Sequence, residues 1–345
     1  MDMKVLGVDL GKSVFHLIGM DEHGKIVLRK RYSRSQLFKF LANTPACVIG
    51  MEASCGCHNI GRTLSTFGHD VRLIPAQFVK PFVKSQKNDY RDAEAIAEAV
   101  QRPTMRFVPI KTEEQLDIQA VHRVRERLLA QRTSLVNQLR AFFLERGLMV
   151  RTGRAYLLRA LPEVLARAEE IVSPRMFRLM QSIVQQWRNL ESQIGDLEEE
   201  IQRVAQADPA CQRLQTVPGV GPLAATAIVA AVGNGAAFQK GREFSAWLGL
   251  VPRQCSTGGQ TKLRGISKRG NEYLRRLFIH GARSVCLHVN RTRHVWGEWI
   301  TKLKNRKPSN IATVALANKL ARIAWSVLNR NEVYRGQVCS LEVIA

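Results

Sequence analysis

The sequence has 345 residues, which is long enough for two or three domains with their own cores. Its seven scattered cysteines argue against a disulfide framework, and no apolar run reaches the length needed to span a bilayer. The start of the chain has no charged-then-apolar signal pattern, so we expect a cytoplasmic protein with no membrane partner.

The net charge of +23 is unevenly distributed along the chain. Residues 207–345 carry 21 basic and 6 acidic side chains, against 16 and 10 in residues 1–110 and 15 and 13 in residues 111–206. A basic excess of this size in one segment favours a polyanionic partner, most simply nucleic acid. The alternative is a solvated basic surface.

The first predicted domain spans residues 1–110 and alternates strands with helices. Strands are expected at 3–10, 15–20, 25–32, 46–54 and 69–76, and helices at 34–43, at 55–68 and from near Asp89 onward. This order predicts a sheet with an antiparallel hairpin and a parallel remainder, covered by helices. The CGCH segment at 55–58 has no second Cys/His pair at zinc spacing, so reduced cysteines at a helix start are the favoured interpretation.

The second predicted domain, residues 111–207, is helical. Apolar residues recur three to seven positions apart in one long stretch that ends at Gly147, and a second stretch runs from Ser173 to Ala207. Helices of this length form a coiled-coil hairpin or pair with another subunit, and the pattern does not separate these alternatives.

The third predicted domain, residues 208–345, is mainly helical and basic. Its segment LQTVPGVGPLAATAIVAAV resembles a helix-hairpin-helix, in which backbone N–H groups near Gly219 and Gly221 contact a phosphate; a plain helical corner is the alternative. Residues 247–284 begin with a stretch rich in Gly, Ser and Thr that predicts a loop. They continue as a basic helix with Arg275 and Arg276, and a last helix is expected at 309–330.

Four acidic residues occupy comparable positions in the first domain: Asp9, Glu52, Asp89 and Asp92. The first two end predicted strands, and the last two lie three residues apart on one helix face. Taken singly, Asp92 could be a helix cap and Glu52 a surface residue. Together they would repel one another unless a cation such as Mg²⁺ or Mn²⁺ lies among them. The flanking Lys87 and Arg91 would hold nucleic acid.

This acidic pattern resembles the DEDD tetrad of the RuvC-like, ribonuclease-H-like nuclease fold. The downstream segments VPGVGPLAATAIVAAVG and STGGQTKLRGISKRGNEYLRRLFIHGAR are similar to the carboxy-terminal domain of IS110-family transposases, and CSTGG is most similar to the IS1111 subgroup. The resemblance implies a site-specific DNA recombinase that moves its own insertion sequence, acting on donor and target DNA. It also implies a noncoding guide, or bridge, RNA.

The family uses a serine of the carboxy-terminal domain as a nucleophile toward DNA. The resemblance places that role at Ser256, with Thr257 as the alternative because the offset from Pro252 is ambiguous by one residue. A glycine-rich loop lets backbone approach a phosphate closely, and four cations nearby can hold it. These are Arg253, Lys262, Lys268 and Arg269.

Three other functions compete with this interpretation. An actin-like ATPase would explain GVDLGKS at 7–13, but we find no second phosphate loop. A RuvC-like Holliday-junction endonuclease would use the same acids without a serine. A nucleoid-type DNA binder would leave the acids unexplained. Because strand exchange needs several active sites, we expect a homo-oligomer, a dimer or a tetramer, associated with the prokaryotic nucleoid.

Overall fold

A computed structural model describes residues 3–84, 86, 88–288 and 296–335 of the chain. The chain divides into two compact units, Met1–Glu113 and Glu114–Ala345. The long helices therefore belong to the same unit as the basic carboxy-terminal part. The predicted division near residue 207 lies inside this second unit and stays a prediction.

The first unit is a mixed α/β structure built on one five-stranded sheet. Its elements are β1 (Val5–Leu10), β2 (Val14–Met20), β3 (Ile26–Ser33), α1 (Arg34–Ala42), β4 (Val48–Glu52), α2 (Cys57–Thr66), β5 (Asp70–Ile74), α3 (Ala76–Val79), a 3₁₀ turn (Lys80–Phe82) and α4 (Asp89–Val100). The strand order is β3-β2-β1-β4-β5, antiparallel among the first three and parallel from β1 to β5. This confirms the predicted combination of an antiparallel hairpin with a parallel remainder.

Strand alternation sends the side chains of this sheet to two opposite faces. One face packs against α1 and α2 through residues such as Leu37, Ile49 and Leu64. The other face is covered by α4, whose Ala93 lies directly over Gly7. A Cβ atom at Gly7 would lie 2.1 Å from the carbonyl oxygen of Ala93, so only glycine lets α4 approach β1 this closely.

The second unit is mainly helical. Its elements are α5 (Glu113–Leu144), α6 (Arg154–Ile171), α7 (Pro174–Ala207), α8 (Pro209–Gln215), α9 (Pro222–Val232), α10 (Gly241–Trp247), β6 (Pro252–Thr257), β7 (Gln260–Ile266), α11 (Glu272–His288), α12 (Gly297–Arg306) and α13 (Ser309–Arg330). The two long helices α5 and α7 confirm the predicted pair of helical stretches, whereas α6, α10 and α12 were not predicted.

The long helices pack within the chain around a core of their own. Leu139 and Phe143 of α5 meet Leu161 of α6 and Trp187 of α7, and all four side chains are buried. Ion pairs reinforce α5 against α7, including Arg125 with Glu198. Intrachain packing therefore accounts for one part of these helices; pairing with another subunit stays a prediction.

The core of the carboxy-terminal half is built around α13. Its Leu316, Leu320 and Ala324 are fully buried against α8, α10 and α11. Among the described helices, α13 alone is long and apolar enough to cross a membrane by length and composition. Half of its most apolar stretch is buried inside the protein, which is typical of a core helix.

One prediction for this half was wrong. The Gly/Ser/Thr-rich segment is not an irregular loop but an antiparallel ribbon of β6 and β7. Its turn residues Gly258 and Gly259 have φ of 56° and 77°, the positive pair that a two-residue hairpin turn requires. The adjacent glycines that suggested a loop form the turn, and Thr residues in the flanking strands suit a sheet.

Candidate active site

Three strands of the first unit bring polar residues to one edge of the face that α4 covers. Val8 of β1 pairs with Met51 of β4, so Asp9 and Glu52, one step further on, lie on adjacent strands in matching register. Asp9 itself is opposite His16 of β2. Since alternate residues share a face, Asp9 and Glu52 project to the same side as Gly7 and Gly50, beneath the helix.

The start of α4 supplies two further carboxylates. The side chain of Asn88 caps the helix by accepting a hydrogen bond from the backbone N–H of Tyr90 at 2.9 Å. This cap places Asp89 and Asp92 in the first turn, where the helix dipole favours negative charge. The N-cap of α4 is therefore Asn88 and not Asp92, so neither aspartate is needed to cap the start of the helix.

The structure brings three of the four predicted acids together. Asp9, Asp89 and Asp92 each offer a carboxylate oxygen, and these oxygens all lie within 4.8 Å of one another. Within the described part of the chain, they form the one group of at least three potential metal ligands. Glu52 lies outside this group, although it is close enough for its charge to act on Asp9.

The electrostatics of Asp9 reflect this crowding. Partial burial and then the charges of Asp92 and Asp89 together raise the pKa of its carboxyl group from 3.8 to about 6. His16 acts in the opposite direction, with its Nδ1 atom 3.6 Å from Oδ2 of Asp89. The Asp9 carboxyl group therefore resists ionisation unless a cation compensates its charge.

The spacing of these oxygens suits a divalent metal ion. Opposite ligands of six-coordinate Mg²⁺ lie about 4.2 Å apart, because each oxygen is about 2.1 Å from the ion. Neighbouring ligands of such an ion lie closer, about 3.0 Å apart. The oxygens of Asp9, Asp89 and Asp92, which all lie within 4.8 Å of one another, are therefore close enough together to share one ion. Hard oxygen donors are the ligands that Mg²⁺ and Mn²⁺ prefer, so the residues fit such an ion.

Ser256 lies in the second unit, on β6 next to the ribbon turn, and is exposed. Its hydroxyl oxygen accepts a hydrogen bond from Nε2 of Gln254 at 2.8 Å, because residues two apart in a strand share a face. Thr257 is the last residue of β6 and lies on the opposite face. The serine hydroxyl therefore keeps its own proton available for donation elsewhere.

The base of the ribbon is held by Arg275, which corrects one prediction. Its guanidinium is buried and donates from Nη1 to the carbonyl oxygens of Leu248 and Arg269, each at 3.0 Å. These two carbonyls flank the ribbon in sequence. Arg275 therefore clamps the ends of the segment that carries Ser256 and is not available to a phosphate.

Two other predicted phosphate ligands, both exposed, make contacts with other residues of the protein. Arg276 pairs with Glu126 of α5 and lies over the ring of Tyr273. Arg91 donates to the carbonyl oxygens of Lys84 and Gln86, at 3.4 and 3.0 Å, and so braces the segment before α4. Lys87 lies outside the described residues.

The glycine turn between α8 and α9 has a mainly structural explanation. Gly219 has φ of 84° and packs against Gly281 of α11, where a Cβ atom would lie 2.8 Å from the Gly281 carbonyl oxygen. The need for glycine here is thus a close contact between backbones. Gly221, at the start of α9, is exposed and meets nothing nearby, so a phosphate contact there stays a prediction.

The remaining predicted cations are exposed. Arg253 and Lys262 lie on the ribbon, and Lys268 and Arg269 follow it. Lys268 has a left-handed φ of 55°, which is unusual for a residue with a side chain. These four side chains are therefore available to a partner.

Sequence reasoning missed three polar residues beside these sites. His16 lies against Asp89, Gln254 contacts Ser256, and Arg264 is exposed on β7. Gln254 and Arg264 would have been found if the segment had been interpreted as two alternating strands. His16 could not be found without the register that pairs β1 with β2.

Comparison with known proteins identifies the family. The profile described as "Transposase IS116/IS110/IS902 family" matches residues 211–296, and the DEDD transposase profile of IS110 elements matches residues 6–146. A Pseudomonas aeruginosa protein named as a family 20 transposase is 45% identical over 336 residues, covering 97% of this chain and 99% of the relative. The transposase of IS1111A from Coxiella burnetii is 45% identical over 334 residues, covering 97% and 92%.

A third relative, the transposase of IS1328 from Yersinia enterocolitica, is 43% identical over 335 residues, covering 96% of this chain and 99% of the relative. The chain belongs to the IS110/IS116/IS902 family of transposases.

Membership of this transposase family has direct chemical consequences. The protein is an enzyme that cleaves and rejoins DNA, so its substrates include DNA. The DEDD transposase match and the acidic cluster of the first unit both indicate a divalent metal ion. The predicted resemblance to IS110 transposases is confirmed.

Proposed function

We propose that this transposase moves its own insertion sequence by serine-based DNA recombination. In this proposal Ser256 attacks the DNA, Asp9, Glu52, Asp89 and Asp92 form a DEDD site for Mg²⁺ or Mn²⁺, and a noncoding bridge RNA selects donor and target. The observation that carries it is the joint presence of a compact carboxylate cluster in one unit and an exposed, positioned serine in the other.

The acidic residues support the RuvC-like part of this proposal. The order β3-β2-β1-β4-β5 places two acids at strand ends and two on the helix that covers them. Asp9, Asp89 and Asp92 would hold the ion, and Glu52 would join them through a small movement of its side chain. When bound, the ion supplies positive charge beside a phosphodiester and compensates the charge developing on its oxygens.

The serine step exchanges one phosphodiester bond for another, so no phosphodiester is lost to hydrolysis. Oγ of Ser256 attacks the phosphorus atom, an Oγ–P bond forms, and the bond from phosphorus to one DNA oxygen breaks. The hydroxyl proton passes to solvent, and the leaving DNA oxygen takes up a proton. Gln254 holds Oγ in one rotamer by donating to it, which leaves the O–H proton free. Attack by a second DNA hydroxyl on the same phosphorus restores the serine and joins the new strands.

The charge and surface of the second unit support its nucleic-acid and oligomer roles. Its exposed Arg253, Lys262, Lys268 and Arg269 would contact DNA or the guide RNA. Exposed apolar side chains on α5, α6 and α7 offer a surface for a second copy. We propose a homo-oligomer, dimeric or tetrameric, that works in the cytoplasm at the nucleoid.

A RuvC-like Holliday-junction endonuclease is the alternative. It would use the same acids with water as the nucleophile, and it would leave Ser256 without a chemical role. The family match over residues 211–296, which contain Ser256, favours the transposase.

The test is the covalent intermediate. Labelled DNA that spans an element end is incubated with the protein, RNA transcribed from the flanking sequence, and Mg²⁺, and is then run on a denaturing gel. We expect a protein-linked band that disappears in Ser256→Ala and persists in Thr257→Ala. The Asp9→Asn variant should also lose the band, because it removes a ligand charge without changing size.

Efficient cleavage to free DNA ends, with no linked band under trapping conditions, would establish the endonuclease alternative. Loss of the band in Thr257→Ala but not in Ser256→Ala would move the nucleophile by one residue. Recombination that proceeds without added RNA would remove the guide from the proposal.

A further inference from the structure

The ribbon of β6 and β7 is exposed on both of its faces. All of its residues are exposed except the partly buried Cys255 and Ile266. Leu263 in particular is 64% exposed, which is unusual for a leucine in a strand. A two-stranded ribbon that buries so little is marginal in water, so its own ladder and the Arg275 clamp must hold it. Such an arm is suited to contact a partner.

Cross-strand pairing gives the ribbon two chemically different faces. Gln254 pairs with Leu263 and Ser256 with Thr261, whereas Cys255 pairs with Lys262 and Thr257 with Gln260. Because the side-chain period of a strand is two, these pairs alternate between faces. We call the two sets the serine face and the cationic face. The serine face holds Gln254, Ser256, Thr261 and Leu263, and the cationic face holds Cys255, Thr257, Gln260 and Lys262. The ladder shifts register between Pro252 and Gln254, so Arg253 and Arg264 are assigned to the cationic face by alternation along their own strands, next to Gln254 and Leu263.

The cationic face has nothing of its own to neutralise it. No acidic residue occurs anywhere from 244 to 271. Among the described residues, Arg253, Lys262 and Arg264 form no ion pair. Three cations on one side of an exposed ribbon therefore match a polyanion, and the charge does not extend to the serine face.

We propose that the cationic face of the ribbon lies in the major groove of duplex DNA while the serine face is turned to a different DNA segment. This inference rests on the proposed function. The major groove of B-DNA, about 12 Å wide, admits a two-stranded ribbon, and Arg and Lys can reach its phosphates and the O6 and N7 atoms of guanine. The major groove of A-form RNA is too narrow for such an arm.

The geometry has a consequence for the reaction. Ser256 and the cations project from opposite sides of one thin ribbon, so the phosphate that Ser256 attacks lies on the other side from the duplex that the cations hold. The ribbon therefore separates two DNA segments. This differs from the expectation that Arg253 and Lys262 hold the phosphate under attack.

The test compares two variants that lose the same charge in the full-length protein. Lys262→Gln/Arg264→Gln alters the cationic face, and Arg159→Gln/Arg175→Gln removes two exposed cations from α6 and α7. Binding to a short mixed-sequence DNA duplex is measured by fluorescence anisotropy over a range of salt concentrations. If two phosphate contacts are lost, the log–log slope of the ribbon variant should be less steep by about 1.8, and the control should match the unmodified protein.

Two further measurements identify the groove. Dimethyl sulfate modifies guanine N7 in the major groove, and the unmodified protein should protect these atoms while the ribbon variant does not. On an RNA duplex of the same sequence the two proteins should bind equally. An unchanged slope on DNA, absence of N7 protection, or an equal loss on RNA would each overturn the inference.

The results of these binding experiments can be distinguished from a failure of the proposed serine mechanism. Ser256→Ala should retain both the salt slope and the N7 protection, so failure to find a covalent band leaves the groove contact testable. A normal covalent band together with unaltered DNA binding by the ribbon variant would overturn only the groove contact. A nucleophile at Thr257 would overturn the two-sided arrangement, because Thr257 lies on the cationic face.

Discussion

At the scale of single residues, Asp9 is the acidic-site residue whose carboxyl pKa is clearly raised by its surroundings. Partial burial and the neighbouring Asp92 and Asp89 all raise its pKa, to about 6, so ionisation of Asp9 is disfavoured until a cation binds. Metal binding and folding are therefore coupled here: an ion that binds only the folded site increases stability by mass action.

We expect Mn²⁺ or Mg²⁺ to raise the melting temperature of the unmodified protein at neutral pH, and Asp9→Asn to abolish this rise. The variant keeps the size of the side chain but removes a ligand charge and the repulsion from Asp89 and Asp92. Without metal it should be at least as stable as the parent. Thermal unfolding with and without the ion measures both effects.

Asp117→Asn, at an exposed position of α5, is the matched control and should keep the full response. A normal metal response in Asp9→Asn would show that the ion binds elsewhere.

At the scale of elements, buried polar bonds decide how helices of the second unit dock. His122 of α5 is almost fully buried, with Nδ1 2.9 Å from the hydroxyl of Tyr273 on α11 and Nε2 3.0 Å from Oγ1 of Thr226 on α9. Thr226 donates its own proton to the Pro222 carbonyl, so Nε2–H donates to Thr226 and Nδ1 accepts from Tyr273. The network therefore requires a neutral imidazole, consistent with burial and the charge of Arg125 lowering the pKa of His122 to about 4.

This predicts a specific loss of stability in acid. The unfolded imidazole takes up a proton below its ordinary pKa of 6.5, whereas the folded one resists until about pH 4. The unfolded state thus binds more protons in this window, and stability falls as pH decreases from 6.5 toward 4, by about 2 kcal/mol at pH 5 from this group. His122→Gln cannot titrate but can still donate and accept, so its urea midpoint should change less between pH 7 and pH 5. Identical pH profiles for the two proteins would contradict this account.

The ribbon shows the same dependence of one element on another. Its order relies on Arg275, which joins Leu248 and Arg269 at its base. Arg275→Met should lose two charge-assisted hydrogen bonds and leave both carbonyls without this donor, at a cost on the order of 1–3 kcal/mol locally. We expect faster amide hydrogen exchange over residues 252–266 in this variant. Arg283→Met, at an exposed position of the same helix, should leave that exchange unaltered. Equal exchange in both variants would mean that the ladder alone holds the ribbon.

At the scale of the whole molecule, the long helices expose more apolar surface than their own core requires. Five large apolar side chains in and around α5, α6 and α7 are between 51% and 85% exposed. They are Leu144, Met149, Leu158, Ile171 and Leu179. Exposed apolar groups concentrated in one region mark a surface for association. This agrees with the proposed homo-oligomer, since strand exchange requires more than one active site.

We expect Leu158→Glu/Leu179→Glu to reduce the oligomer to smaller species, because it places charge in an apolar contact surface. Size-exclusion chromatography with light scattering measures the mass directly. Arg159→Gln/Arg175→Gln changes neighbouring exposed positions of the same helices without burying charge and should preserve the assembly. An unaltered mass in the glutamate variant would place the subunit contacts elsewhere.

Much of the fold could be predicted because its elements carry local signals. Alternating and continuous apolar runs located all five strands of the first sheet, and the helical period located α5, α7 and α13. The ribbon was missed because its two turn glycines suggested a loop, and α6, α10 and α12 were not predicted. Periodicity could not show where two backbones pack so closely that only glycine fits. Interior packing requires this at Gly7 and Gly219, where a neighbouring backbone excludes a side chain.

The candidate sites divide in the same way. Residue type and position along the chain singled out Asp9, Asp89 and Asp92 as candidates, since strand ends and one helix face are local features, whereas Ser256 was singled out only by the resemblance to IS110-family transposases. Only the tertiary structure separated the arginines: Arg275 is buried between two carbonyls, Arg276 is exposed but paired with Glu126, and Arg253 is exposed without an ion pair among the described residues. A cation has the same charge in the sequence whether it meets a carbonyl oxygen, a carboxylate or solvent. Those partners come from distant parts of the chain, so only folding determines which one each cation meets.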